Sequence, residues 1–139
     1  MATEGPFLHD GSQCVAAANY SNSAGLTGPQ GSAMFMAVVL TAAGRTVALA
    51  SAIGQQIYGI LQNKPTLGQA ADVGFIGPMK ANAGGTIAAG AILMTNAVGA
   101  LIAWTAGSGY AQVGYAIEAA VAGQIFTAMI IPPSPKGLT

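Results

Sequence analysis

A chain of 139 residues is long enough for one domain with its own core and too short for two. Only 6% of its residues are charged, against about 25% in an ordinary soluble domain, and its four bases and four acids cancel. With no net field to attract phosphates or anionic lipid, neither nucleic acid nor a membrane surface is expected as a partner, and a single cysteine excludes an internal disulfide.

So little charge beside 53% hydrophobic residues gives a free monomer poor colloidal stability, which points to constitutive assembly. The opening residues, MATEGP, contain neither a basic nor an apolar region, so no secretory leader is expected. Residues 1–32 are rich in Gly, Ser, Asn and Ala and predict an extended N-terminal arm. Scattered apolar anchors at Phe7, Leu8, Val15, Tyr20 and Leu26 are its candidate contacts, because this composition buries too little surface to order itself and a partner is expected to order it. Deleting the arm is therefore expected to leave the rest folded.

Residues 33–132 change to short apolar runs separated by turn signals, the rhythm of a small all-β domain. Strands are predicted over 34–40 and 46–50 around a turn at 42–45, and over 57–61 before the turn-forming residues 62–66. In 71–76, Ala71, Val73 and Phe75 share one face of a half-buried strand; Gly77-Pro78 punctuates it, and 79–83 continues extended. From residue 81 to 117 no charged residue occurs, and this run has two readings. As a helix, 86–106 is long enough to cross a bilayer core of ~30 Å. As strands, 91–95 and 100–104 flank a turn at 96–99, where Gly99 supplies a positive φ. Strands are favoured, because Thr95-Asn96 falls mid-span, no base flanks the C-terminal end, and the same rhythm continues into strands at 110–118 and 124–131. The prolines at 132, 133 and 135 end the sheet, leaving an extended tail at 133–139.

Catalytic chemistry has little to stand on. Metal sites need several converging ligands, and the chain holds one histidine, His9, one cysteine, Cys14, and four dispersed acids. Cys14 lacks a base and an orienting group, and Asp72 and Glu118 lie in separate strand patterns. Residues 84–90 are glycine-rich without the Lys-Ser/Thr of a phosphate loop. Trp104 and the methionines at 34, 36, 79, 94 and 129 are read as core or contact residues. No enzyme, cofactor or metal centre is expected.

Four stretches carry a family resemblance. Residues 57–73, IYGILQNKPTLGQAADV, resemble the "GVLQNKP, then GEAAxV" stretch of the capsid cement, or head decoration, proteins of tailed phages. Residues 80–90, KANAGGTIAAG, are similar to their "KxxAGxxIAAG" turn, and 94–100 to their strand-turn-strand hairpin; 114–120 with 124–131 resemble their closing strands. The resemblance runs from about residue 33 to 132, omits the arm, and departs at Gln69, where an acidic residue is usual. It implies a small β-barrel or β-tulip domain bound to the outside of a phage head, made in the host cytoplasm and joining neighbouring major capsid proteins as a homotrimer. The arm residues Phe7, Leu8, Val15, Tyr20 and Leu26 would then be capsid or inter-subunit contacts. A small integral membrane protein with a helix near 86–106 is the alternative.

Overall fold

The turn-and-run rhythm becomes a mixed β-sheet in the computed structural model, which describes residues 8–9, 14–23, 25–106 and 109–131. Its strands are β1 (Leu8–His9), β2 (Val15–Ala16), β3 (Ala37–Leu40), β4 (Thr46–Leu49), β5 (Gly59–Leu61), β6 (Val73–Asn82), β7 (Ile92–Thr95), β8 (Leu101–Ala103), β9 (Gly114–Ala116) and β10 (Ile125–Ile130). The order is β2-β4-β3-β5-β6-β10-β9-β7-β8, and β1 pairs with β6 beside that path. Apart from β2 on β4, which is parallel, the ladders are antiparallel. No α-helix occurs among the described residues, and the all-β expectation holds. The sheet is not a closed barrel: β2 and β8 end the path, and a single parallel bridge from Ala83 to Leu101 brings β8 back toward the end of β6.

The uncharged run folds as strands, which overturns the helical alternative for 86–106. β7 and β8 pair with Thr95 opposite Leu101 across the turn at 96–99, and Gly99 has φ +89°. Asn96 tightens this turn, its Oδ1 accepting from the N–H groups of Val98 and Ala100, each at 3.0 Å. Among the described residues no helix is long and apolar enough to cross a membrane.

Gly77-Pro78 does not break the sheet as the sequence predicts. β6 runs through both residues, with Gly77 opposite Ile130 and Pro78 opposite Met129 on β10. The reason is the direction of the backbone. Asn82 donates its N–H to the Phe35 carbonyl at 2.9 Å, on the edge away from β10, and alternation turns the nitrogens of residues 80 and 78 the same way. A proline there removes no bond to β10.

Two apolar clusters flank the sheet. The first gathers Met79 and Ala81 of β6, Leu93 of β7, Leu101 of β8, and Phe126 and Ala128 of β10. The second lies across β4, β3 and β5 and gathers Val38, Val47 and Leu61. Neighbouring residues divide between them: Ala37 and Ile60 belong to the first, Val38 and Leu61 to the second. β3 and β5 are thus buried on both faces, which explains why they read as unbroken apolar runs.

That second face is covered by residues expected to wait for a partner. Cys14, Ala16 and Tyr20 are buried in it, and Leu26 packs against it. Backbone bonds tie the segment down, from Val15 N–H to the Arg45 carbonyl at 2.8 Å and from Ala17 N–H to the Val47 carbonyl at 2.9 Å. The described part of the arm bends at 17–18 and 21–22 and makes a tight turn at Pro29–Gly31, and it is tied down by the chain's own sheet through β2. The physical reason is the two-faced sheet, whose second side would otherwise lie open to water.

Candidate interaction surface

The side chains singled out for chemistry do not converge. Cys14 is buried in the second cluster, Asp72 precedes β6, and Glu118 follows β9, where its Oε1 accepts from the Thr127 N–H at 3.3 Å. Among the described residues no three His, Cys, Asp or Glu side chains lie together. Gly84 packs close to Ala100 and Asn96, while Gly90 turns with φ +83° in open space, so the glycines of 84–90 serve packing and turning. Met36, Met79 and Met94 are core residues, and Trp104 donates its Nε1–H to the Tyr110 carbonyl at 2.9 Å.

The five arm residues are dispersed. Phe7 lies outside the described residues, and Leu8 pairs with Ile76 as part of β1. Val15 is half-buried in β2 opposite Thr46, and Leu26 is half-buried against the second cluster. Tyr20 is committed inward: its ring is buried and its hydroxyl oxygen accepts from the Leu49 N–H at 3.2 Å.

Two surface features were missed by reasoning from the sequence. The first is an apolar row on the outer face of β7, β9, β10 and β6. Register places Ile92 beside Tyr115, Tyr115 beside Met129, and Met129 beside Pro78. Ile92 and Tyr115 are each 41% exposed, and Ile117 continues the same side at 45%. At about 4.8 Å between strands, the four residues span roughly 14 Å. Lys80 lies over the Phe35 ring at 5.8 Å, two residues along β6 from Pro78. The signal for this row is an inverted order of sizes. In β9 the small Gly114 and Ala116 point inward while Tyr115 points outward, the reverse of an ordinary half-buried strand.

The second feature is an open groove of about 370 Å³ where β3 and β5 part, lined by Val39, Leu40, Gln55, Gln56, Ile57 and Tyr58. Leu40 is exposed at its rim, and Tyr58 stacks on Phe75 with ring centres 6.3 Å apart. Among the described residues no charged side chain lines it.

No model of a known family matches the chain, and no curated protein matches it. Among solved structures, the chain is similar to the N base of the head fiber gp8.5 in bacteriophage phi29, with a TM-score of 0.65 at 18% identity, covering 96% of this chain and 99% of that one. At that identity the likeness is one of fold, and it extends over both chains nearly end to end.

Proposed function

We propose that this chain is a structural protein of a phage virion. It binds the outer surface of the head and stabilises contacts between neighbouring major capsid proteins. The observation that carries the reading is the end-to-end likeness of fold to a head fiber base, reached independently of the sequence resemblance to head decoration proteins. The absence of a catalytic constellation among the described residues leaves the surface as the functional part.

The outer row of Ile92, Tyr115, Met129 and Pro78 is the surface through which copies associate, as a homotrimer. Phe7 and Leu8, with the half-buried Val15 and Leu26, supply contacts to the capsid; Tyr20 does not, since it belongs to the core. Because repeated copies engage a repeating shell, modest single contacts add up to firm attachment.

Co-sedimentation tests this reading. Purified protein mixed with phage heads that lack it should sediment with them, raise their resistance to heat, and remain attached in high salt, because neither surface feature relies on charge. Failure to sediment with heads, or release by salt alone, refutes the proposal.

A further inference from the structure

This sheet completes its edges with very short extended segments. β1 adds two residues to β6, and β2 adds two residues to β4. At a third place the edge is open among the described residues. Ala50 donates its N–H to the Ala37 carbonyl at 3.0 Å, and Thr41 donates to the Thr46 carbonyl at 2.9 Å, so residues 37, 39 and 41 turn their backbone groups toward β4. Alternation turns the N–H and C=O of Leu40 the other way, toward β5. There β5 has already left: its ladder to β3 consists of Ala37 opposite Ile60 and Val38 opposite Gly59, followed by a bond from the Tyr58 N–H to the Val38 carbonyl at 2.8 Å. Residues 55–57 diverge from Leu40, and the groove opens between them. Neither backbone group of Leu40 has a hydrogen-bond partner among the described residues.

We propose that this groove receives a short, uncharged extended segment of the head-shell protein as an added strand beside Leu40. This rests on the function proposed above and names where the shell engages the chain. An unpaired N–H and C=O on a strand edge are satisfied most fully by another extended backbone, which supplies both partners at once. The lining says what kind of backbone. Gln55 and Gln56 offer amides at the rim, while Val39, Leu40, Ile57 and Tyr58 offer apolar walls, so a charged segment would lose its hydration without gaining a counter-charge. The segment is also short, because β3 ends at Leu40 and the chain turns away at Thr41.

Hydrogen exchange on the wild-type protein, free and bound to heads, reads the groove directly. Bound protein should exchange the Leu40 amide about tenfold more slowly or better, as expected when an open edge joins a ladder. A photo-reactive residue at position 56 should crosslink to the shell protein, and Leu40→Asp should weaken head binding by about tenfold or more, one unpaired charge in a desolvated slot. Wild type that binds heads with no slowing at Leu40 overturns the strand proposal and leaves the proposed function standing. Crosslinking from position 56 to a second copy of this chain also overturns it. Wild type that does not bind heads at all overturns both. Should Leu40→Asp fail to fold, the exchange and crosslinking results still decide.

Discussion

Replacing Gly114 with alanine separates two reasons for a glycine in a strand. Gly114 opens the three-residue β9, wedged between β10 and β7, and faces Ile130 on one side and Leu93 on the other. Its φ is +153°, and a Cβ there would overlap the carbonyl oxygen of Met129 in β10. The backbone angle costs roughly 1–3 kcal/mol for an L side chain. Relieving the overlap by pushing β9 off β10 costs roughly another 1–3 kcal/mol. The sum, about 4 kcal/mol, is a large part of a total stability of about 5–15 kcal/mol. At this chain length 1 kcal/mol moves Tm by about 3 °C, so Gly114→Ala should lower Tm by about 12 °C. Gly90→Ala is the control. Gly90 has φ +83° with nothing within 4 Å, so only the angle is charged against it, about 1–2 kcal/mol and a Tm drop of about 3–6 °C. Thermal and urea unfolding at one fixed protein concentration measure both. Equal losses in the two variants would refute the claim that close approach of β9 to β10 makes Gly114 obligatory.

Asn96→Ala removes the side-chain oxygen that holds the N–H groups of Val98 and Ala100, and should cost about 1–2 kcal/mol, read as a lower urea midpoint at unchanged slope. Deletion of residues 1–32 should abolish the cooperative unfolding transition, because Cys14, Ala16 and Tyr20 cover one face of β3, β4 and β5; a sharp transition in the truncated chain would show that this cover is dispensable. The pair Ile92→Ser and Tyr115→Ser should convert the proposed oligomer to monomer in sedimentation velocity, with little change in secondary structure, since both side chains are 41% exposed in the single chain. Wild-type Tm should rise with protein concentration, and that of the double variant should not.

What was legible in the sequence was local. The turn at 96–99 announces itself through an asparagine that can cap it and a glycine that can take a positive φ, and the hairpin forms there. The punctuation expected at Gly77-Pro78 does not interrupt β6, because proline is costly only when its nitrogen faces a partner strand, and the nitrogen of residue 78 lies on the edge where Asn82 bonds Phe35, far away in the sequence. The arm was misjudged for a related reason. Composition says that residues 14–32 carry few apolar side chains; it does not say that β3 and β5 present a second apolar face the size of those few. The run AVVL at 37–40, apolar without alternation, was the available sign that both faces would be buried. The open edge at Leu40 left no trace in the sequence, since it depends on where β5 leaves β3.

The inverted order of sizes in β9 bears on the proposed assembly. Where β9 and β10 lie against each other, β9 turns Gly114 and Ala116 inward beside Ile130 and Ala128 of β10, while Tyr115 and Met129 are turned outward. A buried alanine contributes little more than one methyl group of transfer free energy, and each buried CH₂ is worth about 0.8 kcal/mol. Placing the larger side chains inside instead would push the strands apart, as the Cβ overlap at Gly114 shows on the smallest scale. At β9 the sheet therefore gains close strand contact and forgoes apolar burial, which the proposed assembly would recover by covering Ile92 and Tyr115. A charged outer face would forfeit the recovery, because each charge would have to be desolvated. On this argument the small inward residues of β9 and its uncharged outer neighbours have one cause, a strand packed tightly within the chain and covered on its outer face in the proposed assembly.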